Sequence, residues 1–301
     1  MMLSSTVSTN DTKLIKNIQL GDGNQIPKLI HYCWFGKREL PQGLKKCIDS
    51  WSLAEGYVVF QWDETNCSFD ENDFVRKAYE EKQYAFVSDY YRLKALYEYG
   101  GIYLDTDVLL KKSFDNLLQY KMFLNFITDC SVGTAVIGSM RKGKLVKELL
   151  DIYDNCILKP KTEMTGRRQI VEKNGSYFVY GFPTNNYFFT YYILKNYPEF
   201  RLNNAYQDLD DFVIFPKELF EIGTLTGKHY CIHLCAGEWR TNKDDAAGIR
   251  KIVKRLLSRN EHLYSNIQVL VRKRRYSKMK KLIPFYPYYL AQKKGSALPE
   301  L

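Results

Sequence analysis

Two aspartates one residue apart, Asp105 and Asp107, are the strongest chemical signal in the sequence. They follow the short apolar run Ile102-Tyr103-Leu104, so they are expected at the end of a strand. Two carboxylates this close repel each other, and the pKa of one would rise unless a cation lay between them. A divalent ion with oxygen ligands, Mn²⁺ or Mg²⁺, would satisfy both, and such an ion commonly bridges nucleotide phosphates. Taken alone, D-x-D is more often only a polar turn after a strand.

The stretch before these aspartates predicts a helix and a tight turn that position them. Ser88 is the expected N-cap, and Asp89 then lies in the first turn, where the helix dipole favours an anion. Gly100-Gly101 ends the helix, because glycine adopts the required backbone conformation without a Cβ penalty. Asp89 and Arg92 share one helix face, and the turn folds that face back towards the aspartate pair. The pattern therefore predicts an acid, a base and a metal site on adjacent elements.

The block from Ser88 to Asp107, S-D-x-x-R-x-x-x-L-Y-x-x-G-G-I-Y-L-D-x-D, resembles the DXD-containing sugar transferases of glycosyltransferase family 32. That group includes bacterial capsular and lipopolysaccharide transferases and yeast Och1-like mannosyltransferases. The block is also similar to the glucosylating domain of the large clostridial toxins. The resemblance implies an α/β fold of the GT-A type and metal-dependent, retaining transfer from a nucleotide sugar, a UDP-sugar ahead of a GDP-sugar. The implied acceptor is a glycan or lipid-linked saccharide in capsule or lipopolysaccharide synthesis.

The same resemblance implies roles for individual residues. Asp105 and Asp107 would hold Mn²⁺ or Mg²⁺ on the donor diphosphate. Arg92 would add positive charge near the donor, and Asp89 would accept hydrogen bonds from sugar hydroxyls. No residue is singled out as a nucleophile, and a front-face route, in which the leaving phosphate oxygen takes the acceptor proton, needs none.

The first strand pattern carries a further match. Residues 26–36 resemble the family's opening I-P-K-x-I-H-x-x-W-x-G, which would place Trp34 near the nucleotide base. A buried tryptophan that anchors the strand is an equally weighted alternative.

A second chemical cluster lies between residues 230 and 239. It resembles the family's I-H-x-x-x-x-S-W, with Glu238 at the position of the usual serine. By resemblance, His233 completes the metal site, Trp239 closes over the donor, and Glu238 contacts the metal or the sugar. A histidine in an apolar strand is otherwise a satisfied core residue.

The order of elements predicts the domain organisation. Strand and helix patterns alternate along the chain, which indicates a mostly parallel α/β sheet, and 301 residues are ample for a large core. Val108-Leu109-Leu110 is expected to continue the strand that ends at the aspartates. We expect a polar leader over residues 1–25, a catalytic domain over 26–248 and a basic helical extension over 249–301.

The basic charge is concentrated in that extension. Residues 250–301 contain 14 of the 44 lysines and arginines but only 2 of the 34 acidic residues. Basic residues followed by aromatic ones over 272–294 are typical of attachment to an anionic membrane surface; a solvated basic helix is the alternative. No nucleic-acid recognition module accompanies the charge. With no signal-peptide pattern and no long apolar run, the sequence predicts a cytoplasmic protein, peripheral at the inner face of the cell membrane.

Cysteine usage and the aspartate pair leave other interpretations open. The seven cysteines form no C-x-x-C pair and predict buried thiols in a reducing compartment, while a zinc cluster of Cys231, Cys235 and His233 is less favoured. A phosphohydrolase of the haloacid-dehalogenase type would use Asp105 as nucleophile, although the Gly and Thr usual after the second aspartate are absent. A non-catalytic, membrane-associated sugar-binding adaptor is the third reading.

Overall fold

A seven-stranded mixed sheet forms the centre of the protein. The structure is a computed structural model, which describes residues 25–166, 168–235 and 261–301. In order across the sheet, the strands are β10 (Gln207–Asp208), β11 (Val213–Phe215), β5 (Met122–Thr128), β6 (Ser131–Ser139), β3 (Gly101–Leu104), β1 (Leu29–Cys33) and β2 (Val58–Trp62).

Five of these seven strands run in one direction, and only β6 and β10 are reversed. The carboxyl ends of the five strands therefore meet at one edge of the sheet, which is where ligands bind in open α/β sheets. The predicted α/β fold with a mostly parallel sheet is confirmed by this order and direction, and its GT-A type stays a prediction.

Helices cover the sheet, and a hydrophobic core lies on each of its two faces. Strand β1 shows this division, because Leu29 and Cys33 belong to one core while Ile30 and Tyr32 belong to the other. The helices among the described residues are α1 (Gln42–Asp49), α2 (Asp73–Glu80), α3 (Tyr84–Tyr99), α4 (Lys144–Asn155), α5 (Asn185–Asn196), α6 (Glu261–Met279) and α7 (Tyr286–Lys294).

Helix α3 begins earlier than the sequence predicts. Its N-cap is Gln83, and Ser88 lies inside the helix, where its hydroxyl donates to the carbonyl of Tyr84 at 3.0 Å. The prediction of Ser88 as N-cap is wrong, because a serine within a helix can satisfy its hydroxyl on the preceding turn. The predicted end of the helix is correct: Gly100 and Gly101 both have positive φ, at 68° and 105°.

Strand β4 (Val108–Leu110) does not continue β3, contrary to the expectation from its apolar sequence. The backbone turns at the aspartates, and β4 pairs instead with β12 (Cys231–His233) in a separate two-stranded sheet. A third sheet contains β7 (Ile157–Lys159), β8 (Ile170–Lys173) and β9 (Ser176–Tyr180).

The C-terminal segment packs closely on the body of the protein. Tyr276, Phe285, Tyr288 and Tyr289 are buried, and the rings of Phe285 and Tyr187 lie 4.9 Å apart. These aromatic side chains are therefore occupied by the core, which corrects the expectation that the aromatics of 272–294 face a membrane. The division at residue 248 stays a prediction.

Two further expectations concern the cysteines and membrane-spanning helices. None of the seven cysteines is paired; Cys33, Cys47, Cys130 and Cys231 are buried, and the others are half-buried. Within the described ranges, no helix has both the length and the apolarity needed to span a membrane. The expected leader over 1–25, apart from its last residue, and residues 249–260 of the expected basic extension lie outside the described residues.

Candidate metal and donor site

Asp105 and Asp107 lie on a backbone turn at the carboxyl end of β3. The N–H of Asp105 donates to the carbonyl of Ala135 at 2.8 Å, which fixes the turn to the neighbouring strand β6. The N–H of Val108 donates back to the carbonyl of Asp105 at 3.0 Å and closes the turn. Both carboxylates are thus held by backbone at the ligand-binding edge of the sheet.

The separate sheet of β4 and β12 brings His233 to this turn. His233 pairs with Val108, and the next N–H, of Leu234, donates to the carbonyl of Asp107 at 3.0 Å. As a result, Nε2 of His233 lies 3.2 Å from Oδ1 of Asp107. The strand pairing therefore positions a histidine that is distant in sequence.

Asp105, Asp107 and His233 form a candidate metal site. Each offers one ligand atom, and these atoms all lie within 4.8 Å of one another. The separation between Asp107 and His233 is close to the roughly 3 Å expected for neighbouring ligands of one ion bound at about 2.1 Å. Two carboxylates and one imidazole suit Mn²⁺ and also accept Mg²⁺. The donor set fits the predicted metal, and the assignment as ligands stays a prediction.

Arg92 links Asp89 on helix α3 with Asp105 on the aspartate turn. Its guanidinium lies 2.8 Å from Asp89 and 3.3 Å from Asp105, and it donates to the carbonyl of Thr134 at 2.6 Å. The group also lies 4.4 Å from the centre of the Tyr103 ring, in cation–π contact. Only 6% of the Arg92 side chain is exposed. Its positive charge therefore compensates two carboxylates that water does not solvate.

Asp89 is held by a residue that the sequence analysis did not single out. The backbone N–H of Asn185, at the start of α5, donates to the Asp89 carboxylate at 3.0 Å. The side-chain amide of Asn185 donates to the Asp89 carbonyl at 3.0 Å. Both residues are buried, and the pKa of Asp89 is raised to about 7, by burial first and by the charge of Asp105, against the opposing effect of Arg92.

Charge is tightly coupled around the candidate ligands. Burial raises the pKa of Asp105, and the charge of Asp107 adds to this, while Arg92 opposes it. Burial works against a charged His233, but the carboxylates of Glu221 and Asp107 raise the pKa of its imidazole well above 6.5. A metal ion bound at Nε2 would thus replace a proton that the surrounding carboxylates favour.

Three predicted donor contacts have different outcomes. Trp34 lies just beyond β1, half-buried, and its indole N–H donates to the carbonyl of Arg38 at 2.5 Å. Its contact with a nucleotide base stays a prediction. Glu238 and Trp239 lie outside the described residues.

Two residues that the sequence did not point to support His233, one by a direct hydrogen bond and the other through the first. Glu221 is fully buried, and its carboxylate accepts a hydrogen bond from Nδ1 of His233 at 2.8 Å. Tyr276, on α6, donates to the same carboxylate at 3.3 Å. Neither belongs to a motif, so only the fold brings them together. Cys231 instead donates to the carbonyl of Phe220 at 3.2 Å, which argues against the zinc cluster that includes it.

Residues 41–124 match the family described as "Glycosyltransferase sugar-binding region containing DXD motif". The matched part of the chain contains α3 and the aspartate pair. His233 and Glu221 lie beyond the matched residues.

The chain is similar to inositol phosphoceramide mannosyltransferase 3 of Schizosaccharomyces pombe, with 32% identity over 121 residues, or 38% of this chain and 33% of the relative. It is also similar to mannosyl phosphorylinositol ceramide synthase CSH1 of Saccharomyces cerevisiae, with 29% identity over 46% of this chain and 39% of that one. The chain thus spans only 33% and 39% of the length of these two relatives. Among solved structures, PaToxG glycosyltransferase is similar at a TM-score of 0.37 and 19% identity, over 46% of this chain and 65% of that chain.

Proposed function

We propose that this protein is a metal-dependent glycosyltransferase that moves a sugar from a nucleotide-sugar donor to a saccharide or lipid-linked acceptor. The observation that carries the proposal is the cluster of Asp105, Asp107 and His233 at the ligand-binding edge of the sheet, inside and beside a DXD sugar-binding region. When bound there, Mn²⁺ or Mg²⁺ would neutralise charge developing on the leaving diphosphate.

The chain's own residues support donor binding beside that cluster. Arg92 forms ion pairs with both Asp89 and Asp105 and so holds these carboxylates in place beside the cluster, where Asp89 would accept hydrogen bonds from sugar hydroxyls. A retaining, front-face transfer remains the preferred mechanism, since it requires no protein nucleophile. We propose a UDP-sugar, ahead of a GDP-sugar, as the donor.

The relatives suggest the chemistry of the acceptor. Their names describe a mannosyltransferase for inositol phosphoceramide and a synthase of mannosyl phosphorylinositol ceramide, so both names refer to ceramide lipids. We infer an acceptor of the same broad kind, a glycan or lipid-linked saccharide in surface polysaccharide synthesis, such as capsule or lipopolysaccharide. The protein would then act at the inner face of the cell membrane.

Release of nucleoside diphosphate tests the proposal. UDP- and GDP-sugars, including mannose donors, are incubated with Mn²⁺, Mg²⁺ or EDTA and a saccharide acceptor panel. We expect one donor to be cleaved only with metal, and the D107N variant to lose at least 100-fold in rate. The exposed pair of Asp210 and Lys121 supplies the matched control D210N, which should keep full activity. Cleavage of phosphomonoesters but of no nucleotide sugar would favour the phosphohydrolase instead.

We also propose that the outer face of α6 binds an anionic membrane. Tyr276 and Val269 face the core, while Leu270 and Val271 are 55% and 56% exposed and Leu282 is 85% exposed. The exposed basic residues that accompany these apolar side chains are Lys273, Arg274, Arg275, Lys278 and Lys281. Positive charge with accessible aliphatic side chains is the combination that binds anionic bilayers.

Vesicle sedimentation tests this surface. Deleting 272–301 would remove core residues, so charge reversal is the cleaner change. Wild type should sediment with phosphatidylglycerol vesicles but not with phosphatidylcholine vesicles, and R274E/R275E/K278E should remain in solution. The control K45E/K46E/K173E reverses three exposed lysines elsewhere and should still bind. Equal binding by both triple variants would contradict the proposal.

A further inference from the structure

A fully buried carboxylate lies directly behind the candidate metal site. Glu221 has no exposed surface, yet it contacts three hydrogen-bond donors. Nδ1 of His233 donates at 2.8 Å, the amide of Asn125 at 3.1 Å and the hydroxyl of Tyr276 at 3.3 Å. A carboxylate buried this deeply is tolerated only when donors replace its water.

The arrangement fixes the imidazole of His233. Because Nδ1 of His233 donates to Glu221, this nitrogen carries a proton. The other ring nitrogen, Nε2, faces Asp107 at 3.2 Å. Metal-bound histidines usually donate their other N–H to a carboxylate in this way, which sets both the tautomer and the ring orientation.

We propose that Glu221 and Tyr276 are positioning residues of the metal site, so that the C-terminal helix α6 is part of the donor-binding machinery. The inference rests on the proposed function, since it assumes that His233 binds the metal. Tyr276 acts indirectly, because it donates to the Glu221 carboxylate that orients His233. The thiol of Cys235 lies 3.0 Å from the Tyr276 hydroxyl and extends the same network.

The geometry disfavours a second metal ion in this network. Glu221, His233 and Cys235 do offer three clustered ligand atoms. However, the 2.8 Å between Oε2 of Glu221 and Nδ1 of His233 is a hydrogen-bond distance. Two ligands of a tetrahedral zinc ion would lie about 3.3 Å apart. Glu221 therefore supports one ion at Nε2 rather than holding its own at Nδ1.

Two measurements on the 301-residue chain test the proposal. In the first, nitrogen NMR of the Mg²⁺-loaded protein reports which ring nitrogen of His233, one of four histidines, carries the proton once the metal occupies the other. Wild type should show a proton held on Nδ1, and E221Q should shift these resonances. In the second, Mn²⁺ titration followed by electron paramagnetic resonance should show 10- to 100-fold weaker binding in E221Q. Y276F should weaken binding several-fold.

The controls separate positioning from general loss of structure. Tyr288 is a buried tyrosine of the same C-terminal segment that packs in the core, so Y288F should leave Mn²⁺ affinity unchanged. Wild-type affinity in E221Q, with D107N unable to bind, would overturn the positioning role and leave the proposed function intact. Absence of Mn²⁺ binding in wild type would overturn both.

Discussion

Glu221 and His233, 12 positions apart in the chain, share a buried hydrogen bond of 2.8 Å that turns Nε2 of the imidazole towards Asp107. The relationship depends on β12, since the N–H of His233 also donates to the carbonyl of Glu221 at 3.1 Å. One short strand thus links the aspartate turn, the histidine and the C-terminal helix.

The Gly100-Gly101 turn should not tolerate a side chain at its second position. A Cβ at Gly101 would lie 2.8 Å from both the carbonyl oxygen and the Cβ of Leu29, in a backbone conformation with φ of 105°. We expect G101A to lower the free energy of unfolding by about 3 kcal/mol or more, from strain and overpacking together. Urea denaturation measures the loss.

Gly175 provides the matched control for that substitution. It also has positive φ, at 76°, but a Cβ there would meet no atom within 4 Å. G175A should therefore cost only about 1 kcal/mol, from backbone strain alone. Equal losses in the two variants would show that close packing at the turn is unimportant.

Lysine should not replace Arg92, although the charge is the same. The guanidinium reaches Asp89, Asp105 and a backbone carbonyl at once, and an ammonium on a single stem cannot. We expect R92K to lose about 3 kcal/mol of unfolding free energy, as charge-assisted hydrogen bonds are broken in a buried place. Urea denaturation at pH 7 measures it.

Arg76 is the control for this change, because its pair with Asp73 is solvent-exposed. R76K should alter stability by less than about 1 kcal/mol. If R92K were no more destabilised than R76K, the buried ion pairs of Arg92 would not contribute to stability in the way we expect.

His31 should make the fold sensitive to mild acid. It is fully buried, donates through Nε2 to the carbonyl of Gly100 at 2.8 Å, and accepts from the indole of Trp62 at Nδ1. Burial lowers its pKa to about 4, whereas the unfolded chain should titrate near 6.5. Between these pH values only the unfolded state takes up the proton, so stability falls as pH falls. The expected loss is about 3 kcal/mol between pH 6.5 and pH 4.

The H31Q variant isolates this contribution, because glutamine does not titrate and all other groups are shared. Its unfolding free energy should start lower at pH 7 but decline less steeply towards pH 4 than that of wild type. Parallel curves for the two proteins would mean that His31 does not cause the acid sensitivity.

The local parts of the site could be predicted from sequence, because they lie within one helix, one turn and one strand. The spacing of Asp89 and Arg92, the glycine turn and the aspartates all follow from short-range rules. The start of α3 was mispredicted, since Ser88 satisfies its hydroxyl inside the helix as readily as at a cap.

The long-range parts could not be predicted in the same way. Apolar residues 108–110 suit any strand, so the change of sheet at β4 has no local signal. Asn185 meets Asp89 from 96 positions away, and Tyr276 meets Glu221 from 55. Tyr276 also lies in a basic segment whose composition indicated a membrane surface, although its inward face belongs to the core.

Calorimetric titration of nucleotide sugars, with and without Mn²⁺, tests the central claim most directly. The account predicts that one donor binds wild type only when metal is present. D107N should bind that donor at least 100-fold more weakly while unfolding at a similar temperature, because the substitution removes one metal ligand and leaves the backbone turn intact. Equally tight donor binding by D107N at saturating Mn²⁺ would contradict the assignment of the aspartate turn as the metal and donor site.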